Sequence, residues 1–208
     1  MKKVILIGLM VFLAMGLFAQ EINISSSLDV WSNVWMERSG GISFDENANF
    51  SSTVSLGYLQ RFADEALKLG FGVSAWVPRS TDNSPGGSSS ELMFSDFAAY
   101  LTFQIYPFRL SKTDTLADYL FIKGNLGYNY PLIFGDWGDY YVESAWGGFC
   151  YSAGLGMDTS FGLFAELLYS CSYWGAEIYS VGDLDSAGFQ SFAMVFGYKF
   201  SFGNSNYN

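Results

Sequence analysis

The chain has 208 residues, with 10 Lys+Arg against 20 Asp+Glu, no His and a net charge of −10. Half of it is hydrophobic, 19% is aromatic and only 14% is charged, against about 25% in a soluble domain. The acidic balance excludes nucleic acid, whose phosphates need clustered Lys and Arg. The absence of His excludes His triads, His general bases and His metal ligands. Two thiols, Cys150 and Cys171, are too few for a structural zinc site, and no cofactor is expected.

Residues 1–20 read as a secretory signal peptide. Lys2 and Lys3 form the positive start, Val4 to Phe18 an apolar run too short for a stable membrane helix, and Ala19 a small residue for cleavage. No Cys follows the run, so no lipid attachment is expected. The expected organisation is a signal peptide over 1–20, a β-barrel over 21–202 and a short tail over 203–208.

Period-two alternation, the mark of strands with two different surroundings, starts at Ile22. Ile22, Ile24, Leu28, Val30, Val34 and Met36 are predicted on one face, with Asn23, Ser25, Ser27, Asp29, Trp31 and Asn33 on the other. Residues 37–49 read as an acidic loop. The second strand sets Val54, Leu56, Tyr58 and Phe62 against Thr53, Ser55, Gly57 and Arg61. After a short turn, the third sets Leu67, Leu69, Phe71 and Val73 against Lys68, Gly70, Gly72 and Trp76. Pro78 ends it, because proline cannot donate to a ladder. Residues 79–91, rich in Ser, Asn, Gly and Pro, read as a second loop.

The fourth strand opposes Phe97, Leu101, Phe103 and Ile105 to Asp96, Tyr100, Thr102 and Tyr106. A polar connection from Arg109 to Asp118 leads to the fifth, where Leu120, Ile122, Leu126, Tyr128 and Tyr130 oppose Phe121, Lys123, Asn125 and Asn129. Residues 131–147 read as a third loop. The sixth strand (149–158) and the seventh (163–173) flank a tight turn, Thr159 to Gly162. The stretch 175–188 reads as a fourth loop. The last strand, from Phe189, sets Phe192, Met194, Phe196, Tyr198, Phe200 and Phe202 against Ser191, Ala193, Val195, Gly197, Lys199 and Ser201.

Long acidic loops alternate with short connections, and the apolar faces are aromatic near both ends. Together with export, this pattern predicts an all-β fold: an eight-stranded antiparallel up-and-down transmembrane β-barrel in the cell outer membrane. The alternative is a soluble secreted β-barrel that binds an apolar ligand, with its aromatic faces turned inward. The small faces carry Asp29, Arg61, Lys68, Asp96, Lys123, Asp158, Glu166 and Lys199. Arg61, Lys123, Glu166 and Lys199, at similar depth, are expected to form one ion-pair network across the lumen, because unpaired buried charges are costly. Separately solvated charges in a wet lumen are the alternative. Arg79 is expected on the acidic rim. Cys150 and Cys171 fall on opposite faces of neighbouring strands, so two small fillers are expected in place of a disulfide.

A Leu-Gly-aromatic pattern recurs at Leu126-Gly127-Tyr128 and around Gly57 and Gly197, and the last strand ends Phe196-Gly-Tyr198-Lys199-Phe200-Ser-Phe202. In these features the whole mature chain resembles small bacterial outer-membrane β-barrel proteins, the kind that includes the OmpA barrel domain and OmpX. The resemblance implies outer-membrane lipid as the surroundings. It also implies recognition of the last strand (Phe196, Tyr198, Phe200, Phe202) by the barrel-assembly machinery. Gly203 to Asn208 follow the terminal aromatic, where that family usually stops. The expected role is structural or surface-interacting, adhesin-like, with host or surface ligands met by the loops and no catalysis. A small pore is the alternative.

Overall fold

The structure, a computed structural model, describes residues 21–38, 42–62, 65–81, 93–109, 116–134, 142–178, 182–183 and 186–202. The predicted signal peptide, the tail and several acidic loop residues lie outside them. Twelve strands are present among the described residues: β1 (Glu21–Arg38), β2 (Ile42–Asn47), β3 (Ser52–Phe62), β4 (Leu67–Trp76), β5 (Arg79–Ser80), β6 (Met93–Ile105), β7 (Leu120–Phe134), β8 (Val142–Trp146), β9 (Gly148–Asp158), β10 (Leu163–Ile178), β11 (Gly182–Asp183) and β12 (Ser186–Ser201). A 3-10 turn, Leu116–Tyr119, precedes β7. β1, β3, β4, β6, β7, β9, β10 and β12 pair antiparallel in that order, and β12 returns to β1. The sheet is a closed eight-stranded barrel.

The lower wall is apolar outside and polar inside. Leu56, Val73, Leu101, Leu126, Leu155, Leu167 and Phe196 are exposed, while Ser27, Thr53, Thr102, Asn125 and Ser191 are buried. A continuous exposed apolar girdle is a lipid contact. This contradicts the soluble barrel, which needs the aromatic faces inside. Tyr128, Tyr130, Phe149 and Tyr173 are exposed toward one end of the girdle, and Phe62, Tyr198, Phe200 and Phe202 toward the other. The first end is the loop end, the second the turn end.

The interior is narrow, as eight strands dictate. Inward glycines make space for inward rings. A Cβ on Gly72 would lie 2.6 Å from the Tyr100 ring, and one on Gly156 would lie 2.3 Å from the Phe121 ring.

Among the described residues, the predicted loops at 37–49, 131–147 and 175–188 are largely strand, and Arg79–Ser80 of the loop at 79–91 is strand too, which corrects the sequence reading. A membrane strand needs about 9–11 residues, yet β1 has 18 and β10 and β12 have 16 each. Their excess length rises past the loop end of the girdle, where shorter strands complete the wall. β2 pairs β1 from Asn33↔Asn47 to Arg38↔Ile42, β5 pairs β6, and β8 pairs β10 at Gly175↔Trp146. β3 and β2, β4 and β5, and β9 and β8 follow one another along the wall across brief breaks. Pro78 lies at one break and Gly147 at another. Loop composition misled here because Gly, Asn and Pro mark the breaks and say nothing of the paired residues on either side.

The first strand holds the second correction. Its register against β12 slips between Asp29 and Trp31, so Val30 is an extra residue, a β-bulge. One extra residue exchanges the faces of everything beyond it. Ile24 and Leu28 face lipid as predicted. Val34 (0% exposed) and Met36 (1%) point inward, and Trp31 (43%) points outward, against the prediction for all three. Above the bulge the barrel has an ordinary apolar inside: Val34, Met36, Phe94, Trp174, Ala176, Ala187 and Phe189 form one buried cluster, flanked by Trp76 and Ile133.

Leu101, midway along β6 and 69% exposed, gives a test of the girdle. Leu101→Arg is expected to cost about 2–4 kcal/mol in equilibrium unfolding from lipid vesicles, and Glu37→Arg, above the girdle, about 0–1 kcal/mol.

Candidate functional site

The functional question is what the lumen permits, and its side chains form three storeys. The lowest is an ion cluster at the turn end. Lys68 donates to both oxygens of Glu21 at 2.8 and 2.9 Å, and Arg61 reaches Glu21 Oε1 at 2.8 Å. Lys199 donates to Asp158 Oδ2 at 2.9 Å and to the Tyr106 hydroxyl at 3.0 Å, and Tyr106 donates to the same Asp158 oxygen at 2.6 Å. Glu65, in the turn between β3 and β4, joins Arg61 at 2.6 Å and Arg109 at 3.4 Å, and Arg109 also reaches Asp158 at 3.4 Å.

The Arg109 guanidinium lies 3.9 Å from the centre of the Tyr106 ring, and the Lys199 ammonium 4.4 Å from that of Phe121. Tyr106 is wholly buried and Phe121 nearly so. Glu65 has a positive φ of 68°, which a non-glycine residue adopts at a cost of roughly 1–2 kcal/mol. Its two ion pairs hold it there. The cluster fills the turn end of the barrel.

The middle storey holds the Lys123–Glu166 pair, with contacts at 2.8 and 3.0 Å. β7 and β10 supply these residues, two strands apart. Asn125 donates to Ser152 at 2.7 Å and Asn129 to Asp96 at 2.8 Å. Around these groups lies a cavity of about 90 Å³, whose wall includes eight serines and Tyr100.

The top storey is the apolar cluster, and Arg79 sits beneath it. Its guanidinium is 4.1 Å from the centres of both the Trp76 and the Phe189 rings, and 2.9 Å from Asp29. The prediction of Arg79 as a rim charge is corrected: its side chain is fully buried. Stacking between rings is a guanidinium property, and Pro78, by ending β4, turns Arg79 into that slot.

The structure brings two of the four predicted network residues together, Lys123 and Glu166. Arg61 and Lys199 lie in the turn-end cluster, where Lys199 hydrogen-bonds Asp158 and Tyr106. The sequence reading omitted Glu21, Glu65 and Arg109. Continuing the alternation one step back from Asn23 reaches Glu21; the other two lie in turns, where period-two logic is silent. Phe196, Tyr198, Phe200 and Phe202 are all exposed on the outer wall. Both thiols are free, with Cys150 opposite Ser172 and Cys171 opposite Tyr151.

No protein-family model and no curated protein sequence matches the chain. Solved structures do match. Neisserial surface protein A is 14% identical with a TM-score of 0.54, over 86% of this chain and 97% of its own. The outer membrane protein OprG from Pseudomonas aeruginosa is 16% identical with a TM-score of 0.51, over 88% and 97%. The likeness is one of fold. The chain has the architecture of the small eight-stranded outer-membrane β-barrels, as the resemblance in its motifs implied.

Lys123→Met strands a buried carboxylate, and a loss of about 3–5 kcal/mol is expected in denaturant unfolding of the detergent-refolded protein. The double variant Lys123→Met/Glu166→Leu is expected to recover most of that loss.

Proposed function

We propose that the protein resides in a bacterial outer membrane, with its turn end toward the periplasm and its loop end outward, and acts through the surface it displays there. One observation carries this reading: the lumen is filled at two levels, by the turn-end ion cluster below and the apolar cluster with Arg79 above. Among the described residues such an interior leaves no continuous aqueous path, which disfavours the pore alternative. The strands meanwhile run well beyond the length that lipid requires, so the fold extends a rigid, paired platform outward. Asp45 and Glu37 are exposed on it, with further acids in the connections.

The role is thus surface interaction with a host or neighbouring-surface ligand, adhesin-like and without catalysis. For assembly, the outward aromatics of β12 suit recognition by the barrel-assembly machinery as the strand enters lipid.

Two measurements test this reading. Liposomes holding the purified protein are expected not to swell in isotonic monosaccharide solution. Cells displaying it are expected to adhere to immobilised matrix glycoproteins, and to lose adhesion when the β1–β2 hairpin is shortened, with heat-modifiable gel mobility retained. Rapid swelling together with unchanged adhesion in the shortened variant overturns the proposal in favour of a pore.

A further inference from the structure

The middle cavity presents oxygens that nothing satisfies. Asp96 is 4% exposed and Asn129 0%. Asn129 donates its amide to Asp96 Oδ2, which leaves Asp96 Oδ1 and Asn129 Oδ1 with no donor among the described residues. Ser172, 2% exposed and also on the cavity wall, has an unpartnered hydroxyl. An unmade hydrogen bond at a buried acceptor costs about 1–3 kcal/mol, more for a charged one.

Charge points the same way. The chamber walls and the slot above them carry three carboxylates, Asp29, Asp96 and Glu166, against two bases, Arg79 and Lys123. Arg79 is engaged by Asp29 at 2.9 Å and Lys123 by Glu166 at 2.8 Å. Asp96 is the carboxylate left without a basic hydrogen-bond partner.

We propose that this cavity binds one monovalent metal cation, Na⁺ or K⁺, on Asp96 Oδ1 and Asn129 Oδ1. Oxygen-only ligands suit a hard cation. Locally, Asp96 is the one carboxylate without a basic hydrogen-bond partner, and a single positive charge there matches it, whereas a divalent ion overcompensates it. Among the described residues no three Asp, Glu or Cys side chains converge as a transition-metal site would require. The cavity volume of about 90 Å³ accommodates the ion together with several water ligands, each of which needs roughly 10–15 Å³. The Ser172 hydroxyl faces the same space. The site lies between the two filled storeys, and an ion held there stabilises the folded form by mass action.

The test is to refold the full chain in detergent in NaCl, in KCl and in N-methyl-D-glucamine chloride at equal ionic strength, and to follow thermal unfolding. The wild type is expected to unfold roughly 2–4 °C higher in at least one of the alkali salts, and Asp96→Asn equally in all three. If Asp96→Asn fails to refold, Asn129→Leu takes its place. Crystals grown from protein refolded in Tl⁺, which mimics K⁺, are expected to show an anomalous peak within coordination distance of Asp96. Equal midpoints for the wild type in all salts, the same alkali-salt gain in the variant, or no Tl⁺ at Asp96 where KCl gives the gain overturns the proposal. A proton on Asp96 then provides the neutralisation.

Discussion

A closed eight-stranded wall has no edges and almost no interior, and the rest of the structure follows from what that wall faces on each side. Through the girdle it meets lipid outside, so Leu56, Val73, Leu101 and Leu155 are exposed and polar side chains are forced inward. Above the girdle it meets water, and the preference reverses. In β10 and β12 the inward face keeps its phase and changes from polar to apolar side chains, whereas β1 changes phase. In β1 a single extra residue, Val30, makes the change. Below it even-numbered positions face lipid; above it they fill a core. The same polypeptide is thus an inside-out barrel over one part of its length and an ordinary small barrel over the next.

Narrowness dictates how the inward charges are handled. Ionised groups in a space this small are not bathed in bulk solvent, so each needs a partner. The chain pairs them locally, by depth. Seven ionised side chains (Glu21, Arg61, Glu65, Lys68, Arg109, Asp158 and Lys199) gather around Tyr106 at the turn end, and Lys123 meets Glu166 above them. Arg79 is carried between Trp76 and Phe189, where its charge meets ring faces on both sides and Asp29 at its edge. The two filled levels are consequences of packing this interior.

Much of this was legible in the sequence. Alternation located all eight barrel strands and the facing of their girdle residues, because lipid selects large apolar side chains and a narrow lumen selects Gly, Ser and Ala. The separation of Cys150 from Cys171 onto two faces followed from the same rule. The phase change at Val30 was not legible. Val34 and Met36 continue the even-numbered apolar row of Ile22, Ile24 and Leu28, and the residues are equally apolar whether they meet lipid or a core. The upper strands were hidden by the acids and glycines that decorate a water-facing wall. Lys199 could be assigned to the lumen, but choosing Asp158 over Glu166 as its partner needed the strand register and stagger.

The phase change is the central claim, and spin labels along β1 test it most directly. Single cysteines at Leu28, Trp31 and Val34, with Cys150 and Cys171 replaced by Ala, would be labelled and measured in bilayers for collision with oxygen. The account predicts that labels at 28 and 31 are accessible to oxygen dissolved in the lipid, and that the label at 34 is immobilised and shielded. A label at 34 that behaves like the one at 28, with 31 shielded, would mean an unbroken alternation through Val30 and would contradict the account.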